Sequence, residues 1–238
     1  MMEVAKGLAG VVVDSTAVAD VQASGVLSYR GHSIASLVEM PFERVVALLL
    51  EQPVEVGPAE LNPAETAWLL AIPRATHPMR VLQSSIVLLE ATAAEDWQRG
   101  VELAAKLPAV LATHLHGQSI SVTPSDCYGQ RVLGALRNVP AAEIPMDHAR
   151  AFNTAQILQL EHSFNAGTFA ARVVASTLAD ISAAIAAGFG ALSGPLHGGA
   201  DEAALKLVDS LAGERDIQQY LDHVLANDLR VPGMGHRE

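Results

Sequence analysis

The chain has 238 residues, half of them hydrophobic, with 17% charged, 4% aromatic and a formal net charge of −11. That length and apolar content support one or two domains with a real core and exclude a disordered chain, while the acidic balance excludes a general nucleic-acid or anionic-membrane surface. The lone Cys127 rules out an internal disulfide, and the first residues lack the basic start and apolar run of a secretion signal, so a cytoplasmic protein is expected.

Residues 10–30 are rich in Val and are broken by Gln22-Ala23-Ser24-Gly25, which predicts a small antiparallel strand pair. Almost everything after that reads as helix. Pro41-Phe42-Glu43-Arg44 opens an apolar run to Leu50. Asn62-Pro63-Ala64-Glu65 combines a cap residue, Pro at the first helical position and Glu at the third, so a helix should follow to about Leu70. Further helices are predicted over 78–92, 96–115, 127–138 and 147–161, then 166–190, 200–212 and 215–227. Pro108 should kink or split the second of these.

The 166–190 segment carries small residues on all sides, which predicts one long central helix that its neighbours approach closely. Its apolar stretch, 166–192, contains Arg172 and Asp180 and several Ser and Thr, which would be costly in lipid, so it reads as buried in protein and not as a membrane span. The fold class is therefore all-α, with a minor amino-terminal strand pair. Few aromatics and few charges imply a core of Ala, Leu and Val on closely packed helices, and a surface partly covered in an oligomer.

Three histidines lie at helix ends or Gly-rich joints. His197 stands in Gly194-Pro195-Leu196-His197-Gly198-Gly199-Ala200, directly ahead of a predicted helix. Glycines let backbone N–H groups face a ligand and the helix end adds partial positive charge; a neutral imidazole there can donate an N–H to a developing enolate oxygen. The alternative is a His that merely caps a tight turn. His236 stands in Val231-Pro232-Gly233-Met234-Gly235-His236-Arg237, whose exposed backbone can receive a flat ring or a phosphate, with Arg237 adding charge. His162 ends one helix, and Asn165 beside it offers amide donors; the pair suits a carboxylate or carbonyl oxygen, or forms a satisfied polar joint. His114 and His116 are two apart and fall on different helical faces, so no metal site is expected.

Taken in order, these segments resemble the citrate synthase family. The likeness runs through Gly7-Leu8-Ala9-Gly10-Val11-Val12, Leu27-Ser28-Tyr29-Arg30-Gly31-His32 and His77-Pro78-Met79. It continues in Glu161-His162 to Asn165 with Thr168-Phe169-Ala170-Ala171-Arg172, and in the two glycine-rich histidine motifs. The resemblance implies a large helical domain over 1–195 and the start of a smaller, truncated one over 196–238. It implies an acyltransferase that condenses acetyl-CoA or propionyl-CoA with oxaloacetate, giving citrate or 2-methylcitrate, with no permanently bound cofactor and a homodimeric assembly.

By that resemblance, His197 would polarise the thioester carbonyl, His236 would bind and protonate the oxaloacetate carbonyl, and His162, Asn165 and Arg237 would hold the oxo acid. Leu196 and the backbone of Val231, Pro232, Gly233, Met234 and Gly235 would recognise CoA. Family members continue with a second arginine motif, a catalytic Asp and further arginines, so the isolated chain is expected to be inactive. Two other readings share the pattern: a citryl-CoA lyase-like enzyme, and a non-catalytic helical protein for dimerisation or regulation.

Overall fold

In the computed structural model, which describes residues 13–22, 25–195, 197–211, 217–227, 229 and 231, the first regular structure is an antiparallel ribbon. It comprises β1 (Ala19–Val21), β2 (Leu27–Tyr29) and β3 (His32–Ser33) in that order, with Tyr29 opposite both Ala19 and His32. The expected strand pair gains a third strand because Arg30 (φ 48°) and Gly31 (φ 79°) form a two-residue turn with both residues left-handed, the conformation that matches hairpin twist. Arg30 tolerates this position while its guanidinium donates to the Leu49 carbonyl at 3.0 Å. Tyr29 is fully buried and donates to the Ile157 carbonyl at 2.9 Å, which ties the ribbon to the helical body.

After a single turn, α1 (Ile34–Leu37), come α2 (Phe42–Leu50) and α3 (Pro63–Ala71). The start of α3 bears out its sequence signal: the Glu65 N–H donates to Asn62 Oδ1 and the Asn62 N–H to Glu65 Oε2, both at 2.8 Å. Helix α4 (Pro78–Ile86) stops short of the expected residue 92. The 21-residue α5 (Asp96–His116) runs through Pro108 as one helix, so the expected break does not split it. Proline removes the N–H that would satisfy the carbonyl four residues back. Here that carbonyl, Ala104 O, instead accepts from the buried Tyr128 hydroxyl at 3.1 Å, so a tertiary bond repairs the helix.

Next come α6 (Tyr128–Arg137), a 3₁₀ turn (Ala141–Glu143) and α7 (Met146–Leu158). The long helix expected over 166–190 is two helices, α8 (Ala166–Ala175) and α9 (Ile181–Leu192), packed as a hairpin. Leu178 adopts φ 63° and Asp180 caps α9 by accepting from the Ser182 N–H at 2.9 Å. Ser-Thr-Leu-Ala-Asp is a local stop and restart that the continuous small-residue pattern concealed. Only α9 is central, lying on α4 and α5, while α8 forms the outer limb. Gln83 on α4 reaches across to the Ala186 carbonyl at 3.2 Å.

The core comprises three clusters. Leu69, Val81, Ile86, Leu103 and Val110 join α3, α4 and α5, with Ile185 and Phe189 of α9 packed on them. Tyr29, Leu37, Val45 and Ile157 join the ribbon to α2 and α7. Val54, Val56, Ala105 and Tyr128 form the third. Beyond them lie α10 (Gly199–Leu211), which buries none of its described residues, and α11 (Ile217–Ala226), which buries Val224. Among the described residues no helix is long and apolar enough to cross a membrane.

Candidate functional site

The site is built at one end of the α8–α9 hairpin. His162 follows α7 in a turn where Ser163 takes φ 55° and the Asn165 N–H donates to the His162 carbonyl at 3.3 Å. Asn165 then caps α8: its Oδ1 accepts from the Thr168 N–H at 3.0 Å and its Nδ2 donates to Thr168 Oγ1 at 3.1 Å. One amide hydrogen of Asn165 remains for a ligand after this duty.

His197 reaches the same place from the other limb. The chain leaves α9 through Ser193, Gly194 and Pro195 and folds back tightly: the Gly198 N–H donates to the Leu192 carbonyl at 2.9 Å and the His197 N–H to the Gly194 carbonyl at 3.0 Å. A side chain on Gly198 would begin 2.6 Å from the Leu192 oxygen, so only glycine permits this return. The return aims the His197 ring at the first turn of α8. A side chain on Gly167 would begin 3.5 Å from His197 Nε2 and 3.2 Å from Asn165 Oδ1, so the ring and the amide are neighbours. His197 therefore borders the starts of two helices, its own α10 and α8, and feels their positive ends, although the first N–H groups of α10 are already taken by the Gly194, His197 and Gly198 carbonyls. Among the described residues no hydrogen bond to the ring itself is formed.

Two contributors were not legible in the sequence. Gly167, by lacking a side chain, lets α8 approach the Gly188 carbonyl of α9 and leaves room beside His197; a small residue after a cap gives no local signal of that. Arg172 lies over the Phe164 ring, 4.5 Å from its centroid, and 3.8 Å from Asp14. It places a cation beside the His162 turn, although eight residues of separation suggest no pairing. Together these groups offer hydrogen-bond donors, helix-end fields and a cation to an anionic ligand.

The remaining expected residues are placed less fully. Val231 is half-buried, whereas Leu196, Pro232, Gly233, Met234, Gly235, His236 and Arg237 lie outside the described residues. His114 and His116 are engaged separately, with the carbonyls of Thr76 (2.9 Å) and Ala135 (3.0 Å), and no group of metal-holding side chains occurs among the described residues.

With this geometry in view, comparison with known proteins is direct. The sequence profile of the citrate synthase C-terminal domain matches residues 7–238. The citrate synthase of Mycolicibacterium smegmatis is 35% identical over 98% of this chain and 68% of its own length. The 2-methylcitrate synthase of Mycobacterium tuberculosis is 34% identical over 99% of this chain and 65% of its own length. Among solved structures, the citrate synthase of Thermotoga maritima superposes with a TM-score of 0.82 at 26% identity, covering 98% of this chain and 67% of that one. The chain thus spans about two thirds of the length of these relatives.

Proposed function

Because the chain belongs to the citrate synthase family, we propose that it carries the carbonyl-polarising and oxo-acid-binding part of an acyltransferase that condenses acetyl-CoA or propionyl-CoA with oxaloacetate. The observation that carries this reading is the His197 ring set beside Asn165 at the first turn of α8. An enolate oxygen formed next to that ring would be met by an N–H donor fixed in advance of the reaction, the arrangement that lowers barriers most effectively. His162 and Arg172, on the turn and helix that flank Asn165, supply further polar groups for a dianionic oxo acid. His236 and Arg237 complete the pocket in this reading, with Leu196 and the 231–235 backbone against CoA.

The same reading makes residues 1–195 the large domain and 196–238 the beginning of a smaller one, which fits the scarcity of buried residues in α10 and α11. It also makes the protein a cytoplasmic homodimer. Support for the dimer comes from the low charge content and from apolar residues left exposed on α8 and in the turn after it, Val173 and Leu178. Light scattering showing a stable monomer at micromolar concentration would remove that part.

The central test is thiol release from acetyl-CoA or propionyl-CoA with oxaloacetate, measured on the 238-residue chain and on a protein extended to the length of its relatives. Activity in the extended protein should fall by about 10² to 10³ in His197→Ala, the usual loss on removing one oxyanion donor. Cleavage of citryl-CoA without any condensation would select the lyase-like reading instead. Activity indifferent to His197→Ala would remove the proposal.

A further inference from the structure

The amino-terminal ribbon supplies no group to the site, yet its buried Tyr29 ends at the turn that carries His162. Tyr29 stands on the central strand, opposite Ala19 and His32, and its ring is packed with Leu37, Val45 and Ile157. A ring packed on all sides holds its hydroxyl at one point in space. That point is the end of α7. The hydroxyl donates to the Ile157 carbonyl at 2.9 Å, with the Leu158 carbonyl at 3.4 Å, and its oxygen accepts from the Glu161 N–H at 3.4 Å.

The last carbonyls of a helix lack intrahelical donors, so Tyr29 serves α7 as a cap delivered from 128 residues earlier in the chain. Glu161 immediately precedes His162. From His162 the chain passes, by way of the Asn165 N–H bond to the His162 carbonyl, into the cap of α8. Tyr29 thus touches the entry of the turn, while Asn165 fixes its exit. The short bond to Ile157 sets where the hydroxyl sits, and the longer contact passes that position to Glu161. Burial raises the Tyr29 pKa, the Glu161 N–H bond opposes the rise and the Glu161 charge adds to it, so the hydroxyl keeps the proton that its bond to Ile157 needs.

We propose that Tyr29 is a positioning residue for the oxo-acid end of the site: its hydroxyl sets the entry of the turn that presents His162 and Asn165. The inference rests on the oxo-acid role those two residues have in the condensation reading. Binding groups must be held within about 0.5 Å of their productive place, and a turn with Ser163 at φ 55° needs outside support to stay there. The His197 joint is tied to the end of α9 instead. Tyr29 should therefore govern the oxo acid and not the acyl-CoA.

The test is Tyr29→Phe, which keeps the ring in the core and removes only the hydroxyl. In the 238-residue chain the His162 imidazole NMR signal, identified by its loss in His162→Gln, should move or split while that of His114 stays in place. Arg30→Asn is the control. It removes the guanidinium bonds to Leu49 with a residue that accepts the left-handed turn, and should leave the His162 signal where it was. In a protein extended to the length of its relatives, Tyr29→Phe should raise the oxaloacetate KM about three- to tenfold, the worth of a lost hydrogen bond, with the acyl-CoA KM unchanged.

An unmoved His162 signal overturns the proposal, as does an equal shift in Arg30→Asn, which would assign the effect to the ribbon as a whole. A fall in kcat with both KM values unchanged overturns it too, because a purely structural loss acts that way. No variant is needed for one further check: the Glu161 N–H of the unsubstituted chain should exchange slowly with solvent, and exchange at the open-chain rate would sink the assignment. If the extended protein releases no thiol while the His162 signal moves, the condensation reading fails and the hold of Tyr29 on the turn stands.

Discussion

Helices α3 to α7 and helices α10 and α11 are built from similar apolar and polar residues, yet they stand in opposite states. In the first group Leu69, Leu103, Ile157 and the charged Glu65 are all at most 2% exposed. In the second, Leu205, Val208 and Leu225 are 62, 63 and 77% exposed. The difference teaches that an amphipathic stripe specifies a helix but not its partner. Burial comes from what the rest of the fold delivers to that stripe.

Glu65 gives the sharpest way to break the comparison. Its carboxylate is buried with Lys106 Nζ at 2.7 Å and accepts from the backbone N–H groups of Asn62 and Glu90, both at 2.8 Å. Burial alone would raise its pKa, but the Lys106 hydrogen bond, the two N–H bonds and the Lys106 charge outweigh it and hold the carboxyl below its ordinary value. Breaking such a buried pair costs about 3–5 kcal/mol, so Glu65→Gln should lose that much in urea unfolding. Because the folded pKa is depressed, the stabilisation is present above the unfolded value and is lost as pH falls through the folded one. The variant should therefore show a flatter acid limb of stability than the parent.

Ile157→Ala comes next. Removing a fully buried side chain from the cluster that holds the ribbon should cost about 2–5 kcal/mol, read as a lowered thermal midpoint. A loss under about 1 kcal/mol would show that this region is no better packed than α10.

Asp180→Ala sharpens the comparison within the site's own support. Its cap bond to Ser182 restarts the chain after the α8 limb, and loss of such a cap costs about 1 kcal/mol. If α8 and α9 were one continuous helix in solution, the substitution would be neutral.

The smallest effect belongs to α10. Leu205→Ser should change stability by no more than about 0.5 kcal/mol, since the side chain is mostly in water, and should reduce self-association in sedimentation. A loss of several kcal/mol would mean that α10 is packed against something in the isolated chain.

By itself the sequence determined the local decisions. The α3 capping box, the starts of α2, α5 and α6, the Gly25 turn and the tight glycine-rich joint at His197 depend on residues within a few positions of one another. Capping, turn and glycine rules operate at that range. The ordered histidine and glycine motifs likewise placed the chain in its family. Tertiary structure decided whatever needed a distant partner. Pro108 stays inside a helix because Tyr128, twenty residues on, takes over the orphaned carbonyl. The 166–190 run breaks at its own local signal, Leu178 and the Asp180 cap, but which of its limbs becomes central depends on the distant α4 and α5. His197 lies beside Asn165 because Gly167, thirty residues earlier, leaves it room. Hydrogen bonds and close packing are satisfied in space, and sequence spacing carries no record of which remote group will satisfy them.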